Sequence, residues 1–333
     1  MHADATTDEV AAIVSRLETL GADVSVANEG GRVIVNGSTE SRLHEDAPWE
    51  ELPGVERVVP VVPGGRRVGR RFKPETTIVD VGGVRIGGGG LTVIAGPCAV
   101  ESRDQILHAA ESVKSSGASI LRGDAFKPRT SPYTFQGLGK TGLELLAEAR
   151  ELTGLPFVAE VLDPREVDLV SSYADMVRIG ARNMSNYALL KEVGRQPRPV
   201  QLKRGRAATI DEWVDAAEHV LNQGNSQIVL VERGIRGFDP STRNTLDITA
   251  VPLAKARTHL PVLVDPSHSS GRRDLVAPLA KAAIAAGADG VMIAVHPSPE
   301  DALVDGAQAL SPEEFDGLMA ELRAVAASVG LTV

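Results

Sequence analysis

The chain has 333 residues, 43% of them hydrophobic and only 3% aromatic, enough apolar material for one large core with a smaller unit attached. A net charge of -9 and a pI near 5.4 exclude a general nucleic-acid or anionic-membrane surface, which needs excess positive potential, but leave room for a local basic pocket. No apolar run approaches the roughly 20 residues of a membrane span. The start MHADATTDEV has no secretory pattern, and the single cysteine, Cys98, excludes an intramolecular disulfide, so a cytoplasmic protein is expected.

From Thr7 to about Val62 the order reads helix (DEVAAIVSRLETLG), strand (DVSVAN), tight turn (EGG), strand (RVIVNG), helix (SRLHEDAPWEELPG) and strand (VERVVPVV). This α-β-β-α-β order predicts a small α+β ferredoxin-like domain over residues 1–65, without a clear first strand. Residues 66–89 read as linker and β-hairpin. PGGRRVGRRFKPE has linker composition with solvated arginines, and TTIVDVGGVRIGGGG alternates about a Gly-Gly turn.

Residues 90–333 are regular. Apolar runs bounded by turns recur at LTVIAG, SILRG, PFVAEV, DMVRIG, PVQLKRG, QIVLVERG, PVLVDPSH and GVMIAVHP, with helical segments such as RDQILHAAESVKSSG and TIDEWVDAAEHVLNQG between them. Eight strands alternating with helices predict an α/β fold of the (β/α)8 TIM-barrel type. An open doubly wound sheet fits less well, because no strand is followed by GxGxxG.

Chemistry in such a barrel sits at the carboxyl ends of the strands. There the sequence places Cys98, Arg122, Lys127, Glu160, Arg182, Lys203, Arg204, Glu232, Arg233, Arg236, Asp265, His268, His296 and Asp305. Cations outnumber acids at the mouth of an acidic protein, which points to anionic, phosphorylated substrates. Alone, Cys98 reads as a small buried hydrophobe, His268 as a hydrogen-bonded core residue and Asp305 as surface. Together a thiolate, an imidazole and a carboxylate make an N/O/S site for Zn, Fe or Mn. The Gly271–Arg273 stretch reads either as an anion patch or as helix-start solvation.

The segments AGPCAVES, LRGDAFKPRTSPYTFQGLG, IGARN, LKRG, ERGIRGFDPSTRNTLDITAVP, VDPSHSSGRRDLV and VHPSPEDALVDGAQAL resemble the 3-deoxy-D-arabino-heptulosonate 7-phosphate (DAHP) synthases of the type Iβ group, over nearly all of residues 70–333. The preceding segment resembles the ferredoxin-like regulatory domain that some members carry. The resemblance implies a transferase that condenses phosphoenolpyruvate (PEP) with erythrose 4-phosphate to DAHP and phosphate, the first step of the shikimate pathway and of aromatic amino-acid biosynthesis. It also implies that Arg122, Lys127, Ala181, Arg182, Lys203 and Arg233 hold PEP, and that Arg129 and Thr130 hold the phosphate of the aldose. Lys127, Asp265 and His268 would be catalytic, with Cys98, His268 and Asp305 as ligands of a divalent metal, Mn, Zn, Fe or Co. An aromatic amino-acid effector and a homo-oligomer, often a tetramer, are implied as well.

The sequence departs from that pattern in two places. The family's fourth metal ligand is a glutamate where this chain has Ala294, which predicts weaker or altered metal binding. Since residues 294 and 296 share one strand face, His296 lies about 7 Å further on and helps only if the metal shifts. Asp124 stands where the family usually has glycine, and Arg178 and Arg206 are additional cations. Asp124 is therefore expected to pair with Arg178 or Arg206, or to contact a non-standard acceptor. Three functions follow as alternatives: a DAHP synthase that tolerates Ala294, a PEP-condensing relative with another aldehyde acceptor in a specialised pathway, and a non-catalytic anion-binding or regulatory homologue.

Overall fold

The structure is a computed structural model that describes residues 1–29, 32–38, 48–58 and 66–332. It divides into two compact units, Met1–Arg66 and Arg67–Val333.

In the first unit, helix α1 (Thr7–Thr19) precedes the antiparallel pair β1 (Asp23–Glu29) and β2 (Arg32–Ser38). Thr6 and Glu9 form a reciprocal capping box that satisfies the first amides of α1. The helix buries Ile13 and Leu17 beside Ala22, against the half-buried Val24, Val35, Trp49, Leu52 and Val55. The second helix expected between residues 41 and 54 is a 3-10 turn at Trp49–Glu51 where it is described, and residues 39–47 lie outside the described residues. Pro53 follows that turn and restrains Leu52 from helical backbone, and Leu52 is extended. Of the expected third strand, Val55–Val58 carries no strand and residues 59–65 lie outside the described residues.

The second unit begins with a segment that its composition marks as a linker but that is bonded to the barrel. Arg67 N and Val68 N donate to the Glu218 carboxylate at 3.0 and 2.9 Å, and Arg70 Nε donates to Lys255 O at 3.0 Å. The hairpin follows as β3 (Val79–Val81) and β4 (Val84–Ile86).

The eight runs predicted as strands are β5 (Thr92–Gly96), β6 (Ile120–Arg122), β7 (Phe157–Glu160), β8 (Met176–Ile179), β9 (Val200–Lys203), β10 (Ile228–Glu232), β11 (Val262–Val264) and β12 (Gly290–Ala294). They form a closed parallel barrel in sequence order, with β12 returning to pair with β5. Around it run α2 (Arg103–Ser116), α3 (Lys140–Thr153), α4 (Val167–Tyr173), α5 (Tyr187–Gly194), α6 (Ile210–Leu221), α7 (Ala250–Arg257), α8 (Pro266–Ser270), α9 (Val276–Ala285) and α10 (Pro312–Ser328).

Helix α6 shows how the sequence builds this layer. Ile210, Trp213, Val214, Ala217 and Val220 recur at helical spacing on its buried face, and Trp213 Nε1 donates to Leu202 O on β9 at 3.1 Å. Side chains alternate along the strands. Val93, Phe157, Val177 and Val262 face the helices, whereas Ile94, Val158, Met176, Val229, Leu263 and Met292 fill the barrel floor together with Val79, Val81 and Ile86 of the hairpin. Among the described residues no helix is long and apolar enough to cross a membrane.

Candidate active site

The inward positions nearest the carboxyl ends of the strands are polar and buried. Arg122, Glu160, Arg178, Gln201 and Lys203 occupy them, and Asp124, Arg233 and Asp265 follow just beyond the strand ends. Two glycines make room: a Cβ on Gly96 would lie 2.3 Å from Arg122 O, and one on Gly180 would lie 2.0 Å from Glu160 Oε1. Lys203 is bonded to Asp265, and Asp124 receives both Arg178 and Lys127 Nζ, the latter at 2.7 Å. Arg122 keeps Nε and Nη1 without partners, and Arg233 has a free Nη1 while its Nη2 donates to His268 O at 2.9 Å.

Burial pushes Lys203 down to about 8, with Asp265 opposing the shift and the charges of Arg178 and Arg122 adding to it. For Asp265 burial works in the other direction, but His268 and Lys203 outweigh it and hold the carboxyl well below its usual range. Burial brings His268 down to about 3, so its imidazole is neutral and available as a ligand.

Three side chains converge beside these cations. Cys98 Sγ lies 3.3 Å from His268 Nε2 and 3.1 Å from Asp305 Oδ2, and the three donor atoms all lie within 4.8 Å of one another. His268 is delivered by the short helix α8. Asp265 caps it by accepting from His268 N at 2.9 Å, Pro266 starts it, and Asp265 Oδ2 lies 2.9 Å from His268 Nδ1, leaving Nε2 to face the thiol. Asp305 has φ 57°, the only positive φ outside glycine among the described residues. Asp tolerates this left-handed backbone better than most residues, and such strain is characteristic of functional positions. Arg243 Nη2 donates to its other oxygen at 3.0 Å. Burial favours the neutral Asp305 acid, but the Arg243 and Lys127 charges and the hydrogen bond from Cys98, joined by His268 once that ring is protonated, outweigh it and hold the carboxyl well below its usual range.

Thiol, neutral imidazole and carboxylate are the donor types that a divalent transition metal takes, and three such ligands leave a position open for water or substrate. The set therefore fits a metal. Ala294 adds no donor to it: it is buried on the strand face that carries Met292 inward and ends in a methyl group. Lys127 Nζ donates to Cys98 Sγ at 3.2 Å and to Cys98 O at 3.0 Å, which ties the ammonium to the thiol cluster.

Other sequence candidates stand further out. Ala181 is half-buried and Arg182 exposed on the loop after β8. Arg129 donates through Nε to Thr134 Oγ1 at 3.2 Å within its own loop, and Thr130 is exposed. Arg204 turns to Glu232 and Asp247, both at 2.9 Å, on the outer side of the strands. His296 accepts from Ser298 N at 3.1 Å and approaches Glu101 at 3.4 Å, so it does not join the thiol cluster. Asp124 takes Arg178 as its partner, not Arg206, which is exposed. Arg272 and Arg273 are spent on Asp274 and Glu300. Sequence reading missed Gln201, although a polar residue at an inward position of VQLK was a usable signal. It also missed Arg243, whose loop gives no such signal.

Arginines and lysines are costly to bury unless anions meet them, so fold and mouth together define a barrel enzyme of anionic substrates. The family is specific: the sequence pattern of the DAHP synthetase I family matches residues 72–328, and the chain belongs to that family. It is 45% identical over 328 residues to phospho-2-dehydro-3-deoxyheptonate aldolase of Thermotoga maritima, covering 98% of this chain and 97% of the relative. The crystal structure of that DAHP synthase superposes with a TM-score of 0.80, covering 99% of this chain and 97% of the other. A 2-dehydro-3-deoxyphosphooctonate aldolase of Geobacter sulfurreducens is 30% identical over 274 residues, 76% of this chain and 99% of the relative.

Proposed function

We propose that the chain condenses phosphoenolpyruvate with erythrose 4-phosphate and water to give DAHP and inorganic phosphate, as the entry step of the shikimate pathway. The observation that carries this reading is the burial of Arg122, Lys127, Lys203 and Arg233 at the carboxyl ends of the strands, with Lys127 bonded to Cys98 and Arg233 to His268 O of the Cys98–His268–Asp305 cluster. PEP brings a phosphate and a carboxylate. Fixed guanidinium and ammonium groups bind both and screen them from the second phosphorylated substrate. In the reaction C3 of PEP bonds to the aldehyde carbon, water adds at C2, and the C2–phosphate bond breaks to release phosphate.

Arg122 and Arg233 offer open donors to PEP, with Ala181 and Arg182 on the loop above, and Arg129 and Thr130 receive the aldose phosphate. In this reading Lys127 gives or takes a proton at the forming bond, and Asp265 fixes Lys203 and the His268 ring. Cys98, His268 and Asp305 hold a divalent metal, Mn, Zn, Fe or Co, which when bound polarises a carbonyl or lowers the pKa of water.

The test is phosphate release from PEP and erythrose 4-phosphate by metal-stripped protein with added Mn, Zn or Co. Metal-dependent release supports the reading, and PEP turnover only with another aldehyde overturns the choice of acceptor. That second reading has its own support in Ala294 and Asp124, two changes inside the mouth. Residues 1–65 form the regulatory domain in this proposal, binding an aromatic amino acid. Their deletion then abolishes inhibition by tyrosine or phenylalanine and spares activity. The family likeness also supports a cytoplasmic homotetramer, measurable by sedimentation.

A further inference from the structure

Arg178 is a buried cation of the mouth that the reaction above leaves unused. It stands on β8 in register with Glu160 on β7 and Gln201 on β9, and it is 1% exposed. Its Nη2 is bonded to Asp124 and lies 3.5 Å from Glu160 Oε2. Nε and Nη1 are buried without partners, as are Nε and Nη1 of Arg122 and both amide atoms of Gln201. Both arginines are buried at inward positions of the barrel, Arg122 at the end of β6 and Arg178 on β8, with β7 between them. Burial lowers the Arg178 guanidinium to about 9, and the charge of Arg122 adds to the shift. Two buried arginines with open donors are costly as neighbours unless an anion meets both. Asp124 neutralises only part of this charge, because its carboxylate is shared with Lys127, which also donates to Cys98 Sγ at 3.2 Å.

We propose that Arg178 is a further substrate-binding residue that shares with Arg122 the anion both face. Asp124 is its positioning partner, balancing the added charge and holding Lys127 against Cys98. This rests on the reading that the mouth takes PEP. The two residues act as one unit: an added cation reaches the substrate, and an added carboxylate keeps the charge of the mouth unchanged.

The experiment measures PEP binding by calorimetry, steady-state kinetics and urea stability on the full chain, for wild type, R178M, R178Q, R178K, D124N and D124N/R178M. R178M weakens PEP binding by about ten- to a hundredfold, the worth of a charged hydrogen bond, and R178K recovers part of it. D124N lowers kcat by about tenfold or more while KM for PEP stays level or falls, because a negative charge near the anion is gone. The double variant departs from the product of the single effects, as expected for groups in contact. R178Q carries the test if R178M does not fold. Wild-type PEP affinity in a folded Arg178 variant overturns the role of Arg178, and a D124N variant with raised KM and unchanged kcat overturns that of Asp124. If the wild type binds no PEP, the proposed function falls together with this inference. If wild type and the Arg178 variants bind PEP equally, this inference falls alone.

Discussion

The two ends of the barrel are made from the same strands and could hardly differ more. At the floor, inward positions early in every strand but β9 carry Ile94, Ile120, Val158, Met176, Val229, Leu263 and Met292, closed from below by Val79, Val81 and Ile86 of the hairpin. At the mouth, only two or so residues further along, they carry arginine, lysine and carboxylates. A period of two lets one strand serve both ends. Burial of apolar side chains at the floor stabilises the fold, at about 1.5–3 kcal/mol for each large residue. Burial of charge at the mouth opposes folding and is retained for what it binds.

The largest expected effect belongs to the mouth. Arg122→Ala lowers kcat/KM for phosphate release by about a thousandfold or more, yet leaves urea stability level or higher because a buried cation with open donors is gone. A matching loss of stability would erase the contrast between the two ends. The floor gives the reverse: Ile86→Ala costs about 2–5 kcal/mol of stability with kcat unchanged at a temperature where the variant is folded.

A titratable group on the floor side sharpens the comparison. His259 is buried, with Nδ1 2.7 Å from Thr77 Oγ1 and Nε2 3.0 Å from Arg67 O, and burial lowers it to about 4. Its folded value lies below the unfolded one, so the unfolded chain binds more protons between the two. Stability from this group is complete above about pH 6.5 and falls by about 3 kcal/mol as pH drops to 4. Urea titrations of His259→Gln should lack that drop. Ala294→Glu acts at the mouth, adding a carboxylate beside Cys98, His268 and Asp305. It should tighten Mn or Zn binding by about tenfold or more, read by metal retained on dialysis. Metal affinity equal to the parent would place position 294 outside the ligand set. The smallest effect lies on the outer layer, where Thr209→Ala removes the cap of α6 for about 1 kcal/mol and should leave activity untouched.

Much of this was legible in the sequence because barrel strands announce themselves locally. Short apolar runs end in polar residues, and those ends assemble, so Cys98, His268 and Asp305 were expected together and lie together. What stayed hidden is long-range. The hairpin was readable as a hairpin, but its place under the barrel depends on Leu263 and Met292, far away in the chain. The linker composition of PGGRRVGRR gave no sign that Glu218 would accept from two of its amides. Arg243 reaches Asp305 across 62 positions, a contact that no spacing rule supplies. Asp124 offered two cations to choose between, and the register that sets Glu160 beside Arg178 favoured one of them.

Closure of the ring by β12 against β5 carries a consequence for synthesis. The segment before β5 also meets the far end of the chain, where Leu91 N donates to Thr332 O at 2.8 Å and Thr332 N to Gly89 O at 2.9 Å. A nascent chain emerging from the ribosome therefore carries β5 as a naked edge until Gly290–Ala294 has been made. Through most of translation the unfinished sheet keeps an unpaired edge open to mispairing, a hazard that ends only when the last strand closes the ring.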